Sequence, residues 1–409
     1  MSVESTAEKL AFDNADSAAI VEAIAAAVAA GEAVLSSRFG ATINLDGAED
    51  LAGSGPATVV RVRVAASPFS LPRTLVIKHY PAAAPGDWDP FAHEAVAYQL
   101  FTALAEDERR CPELIAQDAT KRVIVLEDLG RAATVEDKLL GSDARGAEGA
   151  LLSWARSLGQ LHASTAGREA DFDALMRRFG GGDVVSGLAS TVELACGELP
   201  SVLDEVLGVP TPDPIRVLIS RAGARVEAAP YRALSPVDLA PDNNLVTNAG
   251  VRFLDFERGC VRNALLDAAY LRMPLASSAG ALALPAGMTE AMVASWRAEV
   301  TEVWPDLAND SLFGSGMLDG QLVWLVLSTW QLLPELVATH GGVAGPPRTE
   351  LLPFSSSDAE ALAARWARLA TDAGQAGVHE LADYASELAN QLARRFAQRI
   401  EVEPYLAFR

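Results

Sequence analysis

Between residues 40 and 130 the apolar residues of this chain keep the period of a strand except over one helical stretch, and beyond residue 130 most of them keep the period of a helix. That switch admits few architectures. "VVRVRV" (59–64) alternates strictly, which wets one face and dries the other, while "TLVIKHY" (74–80) is a more continuous apolar run closing on a lysine. "PFAHEAVAYQLFTAL" (90–104) then places Phe91, Val96, Leu100, Phe101 and Leu104 at helical spacing and puts Glu94 in the first turns. "KRVIVLEDLG" (121–130) reads as a buried strand stopped by two acids and a glycine, and a hinge is placed there. After it come "EGALLSWARSLGQLHAST", "GQLVWLVLSTWQLLPELVATH" and "HELADYASELANQLARRFAQRI", all helical. A break lies at "GGGD" (180–183), and "LVTNAGVRFLDF" (245–256) reads as a hairpin turning at "TNAG". The pattern predicts an α+β chain: an N-terminal helical extension over 1–40, a small antiparallel-sheet lobe over 41–130 and a larger, mostly helical lobe over 131–409.

Composition limits the partners. With 33 basic against 54 acidic residues the formal charge is −21, so a phosphate backbone is repelled and cationic small molecules are attracted. Cys111, Cys196 and Cys260 show no short spacing that would hold zinc or a disulfide framework, which fits a reducing cytoplasm. "AAIVEAIAAAVAAGEAVL" (18–35) carries Glu22 and Glu32 and lacks a basic flank. It is expected as a soluble helix and not a membrane segment.

Five polar positions each close or interrupt an apolar element: Lys78, Glu94, Asp238, Asn243 and Asp255. Moving a phosphoryl group from a nucleotide needs cations on the phosphate oxygens and a carboxylate aligned with the accepting hydroxyl. Lys78 can supply positive charge, and Glu94 can hold its ammonium. Asn243 and Asp255 offer the hard oxygens that Mg²⁺ prefers. Asp238 is left to orient the acceptor and take its proton.

In that order the local sequences resemble the aminoglycoside phosphotransferase and choline kinase family, with its protein-kinase-like two-lobed fold. "VIK" (76–78) resembles the strand lysine, and Glu94 the helix glutamate. "VIVLEDLG" (123–130) resembles the hinge, "LGQLHAST" (158–165) the helix ahead of the catalytic segment, and "VDLAPDNNLV" (237–246) the catalytic loop. "VRFLDFERG" (251–259) resembles the metal-binding segment, and "NALLDAAYL" (263–271) the helix start that follows, with Asp267 in a structural role. The resemblance covers about residues 45–275. It implies ATP or GTP as phosphate donor with Mg²⁺, a nucleotide site that includes Glu127 and Leu129 in the hinge, and Gly53, Ser54 and Gly55 over the phosphates. One departure is plain. Where the family usually carries a histidine two residues before the catalytic aspartate, this chain has Pro236. The P-loop pattern G-x-x-x-x-G-K-[ST] is absent.

The implied acceptor is a small-molecule hydroxyl, such as that of a cationic amino sugar or aminoglycoside-like compound, with Asp242, Glu257, Glu401 and Glu403 as candidate acids. A peptide Ser or Thr acceptor and a nucleotide-binding scaffold without catalysis are the alternatives. His162, Trp324 and Trp330 are expected in the core, Asp267 as a cap or loop anchor, and His79 and His93 in the small lobe without a metal pattern.

Overall fold

A computed structural model describes residues 3–53, 55–82, 88–179, 187–273, 282–340, 359–397 and 402–409, with backbone alone for 3–17 and 187. Ser54, Glu401 and the "GGGD" break lie outside the described residues. The chain divides into two compact units, residues 1–103 with 111–131, and residues 104–110 with 132–409.

Unit 1 holds helix α1 (Val3–Phe39), strands β1 (Asn44–Asp50), β2 (Thr58–Ala66) and β3 (Thr74–His79), helix α2 (Pro90–Phe101), and strands β4 (Leu114–Asp118) and β5 (Val123–Glu127). The strands form one antiparallel sheet in the order β1-β2-β3-β5-β4. Because side chains alternate across a sheet, Leu75 and Ile77 of β3 point opposite to Val76 and Lys78. Leu75 and Ile77 join Val60, Val62, Val123 and Val125 in a core that α1 closes with Ala27, Val34 and Leu35. The helix read from sequence as an extension is therefore a packed layer of this unit. Small alanines let it lie close on a sheet face that would otherwise be wet.

Unit 2 holds α3 (Val135–Leu140), α4 (Ala144–Thr165), α5 (Glu169–Arg178), α6 (Gly187–Leu207) and α7 (Asp213–Ala224). Two short antiparallel pairs follow: β6 (Arg232–Ser235) with β9 (Cys260–Asn263), and β7 (Asn244–Thr247) with β8 (Gly250–Phe253). The expected hairpin is the second of these. Helices α8 (Leu265–Tyr270), α9 (Met288–Val300), α10 (Asp310–Thr339), α11 (Ala359–Gln375) and α12 (His379–Phe396) complete it. The small antiparallel sheet and the larger helical part expected from sequence are both present.

Two stretches, Ala18–Phe39 and Asp310–Thr339, are long and apolar enough by composition to cross a membrane. The second is the central helix of unit 2: 67% of its most apolar window is buried, with Trp324 and Trp330 at 2% and 5% exposure. Both tryptophans donate from the ring nitrogen, Trp324 Nε1 to the Leu266 carbonyl at 2.6 Å and Trp330 Nε1 to Glu198 at 2.8 Å. Helix α8 lies against α10 so closely that a Cβ on Gly320 would stand 2.7 Å from the Ala269 Cβ and 2.9 Å from the Leu265 carbonyl oxygen. Backbone cannot yield as a flexible side chain does. Gly320→Ala should therefore lower unfolding stability by about 1–3 kcal/mol, measured by denaturant titration; an unchanged midpoint would mean the two helices can part without loss.

Candidate active site

In unit 1 the lysine and glutamate come together as their spacing suggested. Lys78 Nζ lies 2.5 Å from Glu94 Oε1, with the lysine side chain 12% exposed and the carboxylate fully buried. The Tyr80 hydroxyl donates to the other carboxylate oxygen. Charge at zero exposure persists only when it is paired and hydrogen-bonded, and Glu94 has both. Its helix is set in place by Asp89, the N-cap of α2, which accepts the Phe91 amide at 3.1 Å. Asp89 also receives a two-pronged bond from Arg122 at 2.7 and 2.9 Å. Arg122, in the β4–β5 turn at φ +51°, further lies over the Phe91 ring. Burial raises the Asp89 carboxyl's proton affinity, and the Arg122 bond and charge outweigh it, so the group stays below the ordinary carboxylate range.

The 127–130 segment is held from the sheet. Arg61 of β2 bonds Asp128 at 2.9 and 3.1 Å and the Gly130 carbonyl at 3.1 Å. Glu127 receives the Glu113 amide on its carboxylate at 3.3 Å, while its own amide bonds the Glu113 carbonyl at 2.9 Å. Leu129 is half-buried. Gly53 and Gly55 lie in the β1–β2 connection, where a Cβ on Gly53 would sit 3.1 Å from Val59. His93 stacks on Trp88 at 3.8 Å.

In unit 2 the loop after β6 carries Asp238, whose Oδ1 accepts the Ala240 amide at 2.9 Å. A 3-10 turn over Pro241–Asn243 follows. The Asn244 side chain donates to the Ala240 carbonyl at 2.6 Å and closes the turn. The Leu254 amide donates to the Asn243 carbonyl at 3.1 Å, which sets Asn243 beside the residue preceding Asp255. The Asp255 carboxylate in turn accepts the Glu257 amide at 3.3 Å. Burial foremost, with the charges of Asp255 and Asp242, pushes the Asp238 carboxyl up and the Ala240 amide draws it back, leaving it at about 6. Acidic groups thus converge on the loop that the sequence singled out.

Among the described residues no group of three or more His, Cys, Asp or Glu side chains is arranged to hold a metal alone. Asn243 and Asp255 carry side-chain oxygens of the hard kind that Mg²⁺ prefers, and a site there would need phosphate oxygens and water as further ligands.

The loop is anchored by residues that sequence reading missed. Ser235 Oγ accepts the Val237 amide at 2.9 Å and Arg262 Nε at 3.0 Å. Arg262 also donates to Asp267 and lies 5.2 Å from the Trp324 ring. His162 Nδ1 accepts Trp296 Nε1 at 2.9 Å, so its Nε2 carries the proton and donates to Asp267 at 2.9 Å. His162 is the bonded core histidine expected. Asp267 is an anchor and not a cap: Ala264 is the N-cap of α8, and the Asp267 carboxylate is turned inward at zero exposure. Its burial favours the neutral acid, but Arg262, His162 and Ser235 outweigh that and hold its proton affinity below the ordinary value. Val237 has φ +66° at 4% exposure, a left-handed conformation that costs a β-branched residue roughly 1–3 kcal/mol. Of the candidate acceptor acids, Asp242 adjoins the loop, Glu257 is 4.0 Å from Arg258, and Glu403 is paired with Arg409 at 2.7 Å.

No family model and no curated protein matches the chain. Among solved structures it is similar to choline kinase LicA from Streptococcus pneumoniae, at 12% identity and a TM-score of 0.39, over 87% of this chain and 96% of that one. It is similar to a choline/ethanolamine kinase family protein from Mesorhizobium loti, at 15% identity and 0.41, over 85% and 93%. It also resembles a thermostable mutant of aminoglycoside phosphotransferase APH(4)-Ia, at 13% and 0.38, over 89% and 98%. At such values the chemistry is read from the residues themselves.

Two outcomes follow from this geometry. Lys78→Met, which leaves Glu94 buried without its cation, should destabilise the protein by about 3–5 kcal/mol, and adding Glu94→Gln should recover much of the loss; additive effects in the double-mutant cycle would show that the pair is not coupled. Asp238 has a folded-state pKa above its unfolded value, so the wild type loses stability as pH rises from about 4 to about 6. Asp238→Asn should then be more stable by up to about 3 kcal/mol above pH 6, with the difference vanishing below pH 4, in melts run without divalent cations.

Proposed function

We propose that this chain is a small-molecule kinase of the aminoglycoside phosphotransferase and choline kinase type, transferring the γ-phosphate of ATP or GTP to a hydroxyl group. The observation that carries the reading is the loop of unit 2. An aspartate whose proton affinity is raised by burial and then by neighbouring acids is followed five residues later by an asparagine tied through the backbone to the segment of a second aspartate. Few tasks other than aligning a hydroxyl and meeting a phosphate-bound cation call for that set of oxygens.

In this reading Asp238 accepts the hydroxyl proton as the acceptor oxygen bonds to the γ-phosphorus. The bond from phosphorus to the bridging oxygen breaks, leaving a phosphate monoester and the nucleoside diphosphate. A carboxyl near 6 is ionised at neutral pH and a better proton acceptor than an ordinary one. Mg²⁺, held by Asn243 and Asp255 with the nucleotide, would neutralise charge on the phosphate oxygens. Lys78, oriented by Glu94, has the charge to meet the nontransferred phosphates. Glu127 and Leu129 would flank the base, and Gly53, Ser54 and Gly55 would lie over the phosphates. The acceptor read from the −21 charge is cationic, an amino sugar or aminoglycoside-like molecule. We place the reaction in the cytoplasm, where Cys111, Cys196 and Cys260 stay reduced.

The experiment is nucleotide consumption with Mg²⁺ against a panel of aminoglycosides, amino sugars, choline-like alcohols and Ser/Thr peptides. Asp238→Ala should abolish turnover and leave nucleotide binding nearly intact, whereas Asp255→Ala should remove Mg²⁺-dependent binding as well. Normal turnover by Asp238→Ala would overturn the assignment. Silence with every acceptor, together with metal-independent nucleotide binding, would leave a scaffold.

A further inference from the structure

Pro236 offers neither a side-chain hydrogen bond nor a backbone amide, so the loop before Asp238 has to be held from elsewhere. Taking the phosphotransferase reading as given, we infer that Ser235 is its positioning residue, acting through the conformation of Val237.

Ser235 is fully buried at the end of β6, opposite Cys260 of β9. Its hydroxyl accepts the Val237 amide and the Arg262 guanidinium and helps to hold the proton affinity of Asp267 down. A hydroxyl has two acceptor sites, and both are used. Its place is set by the β6–β9 ladder and by Arg262, itself pinned by Asp267 and Trp324.

What the hydroxyl restrains is a strained residue. Val237 at φ +66° immediately precedes Asp238, and its dihedrals set the direction in which the Asp238 side chain leaves the backbone. Relaxation of Val237 to a negative φ would swing Asp238 away from the Ala240 amide and from its alignment on the acceptor. Ser235 touches neither substrate nor phosphate; it holds the torsion that aims the group which does.

The test is a set of variants in the full chain. Ser235→Ala should lower kcat about 10- to 100-fold, while KM for nucleotide and for acceptor stays within about twofold. Ser235→Cys, close in shape and a weak acceptor, should fall between it and the wild type and covers the case in which the alanine variant does not fold. Glycine adopts a positive φ without strain, so adding Val237→Gly to Ser235→Ala should restore part of kcat, an effect that loss of general structural support would not produce. Independently of turnover, hydrogen exchange at the Val237 amide should quicken about tenfold or more in Ser235→Ala and Ser235→Cys. Unchanged exchange, or kcat within about twofold of wild type in both single variants, would overturn the inference. Absence of wild-type turnover would instead overturn the kinase reading, with the exchange measurement still deciding whether Ser235 restrains the loop.

Discussion

Arg262 and Asp267 form a charge pair in the core of unit 2 at 1% and 0% exposure, and much of that unit's order depends on it. Neither ion could stand there alone, since taking a charge out of water costs several kcal/mol unless neighbours replace the lost hydration. Replacement is thorough here. Asp267 is met by the guanidinium and the His162 imidazole, while Arg262 is met by Asp267, by Ser235 and by the face of Trp324. Those partners come from α4, α8, α10, β6 and β9, and Trp296 of α9 joins through His162. One ion pair thus fastens the short β6–β9 ladder to the helical core, and the Asp238 loop hangs from that ladder.

Unit 1 solves a similar problem on a sheet. Glu94 is buried outright because Lys78 and Tyr80 satisfy both of its oxygens. The helix carrying it is placed by Asp89 and Arg122 at the turn between β4 and β5. Both units thus bury a charged pair whose partners leave it little freedom to move. The strain at Val237 fits this arrangement: a rigid anchor on one side lets a residue remain in a conformation it would leave if free.

Much of this was legible in the chain because it follows from period and spacing. The alternation in "VVRVRV" became β2, "TNAG" became the turn between β7 and β8, and the sixteen-residue step from Lys78 to Glu94 sufficed to carry a strand into the next helix. Other features were not legible. Arg262 in "GCVRNA" looks like a solvated strand residue, and its burial depends on Asp267, His162 and Trp324 arriving from separate helices. Asp267 looked equally suited to capping, and only the inward packing of α8 against α10 turned it toward Arg262. Ser235 and Val237 carried no pattern at all, because a positive φ and a bond two residues along leave no period in a sequence.

By itself the sequence determined the division into a strand-rich part and a helical part, the identity of the charged residues that end apolar elements, and the acidity that favours cationic partners. These are properties of short segments and of sums, and they survive without knowledge of contacts. Only the tertiary structure decided which charges are buried, which histidine nitrogen bears the proton, that α1 closes the sheet core, and how a loop with proline at 236 keeps Asp238 in place. Each of those depends on groups far apart in the chain meeting in a low-dielectric interior, where the energy of an ion or a hydrogen bond is set by its neighbours and not by its own position in the sequence.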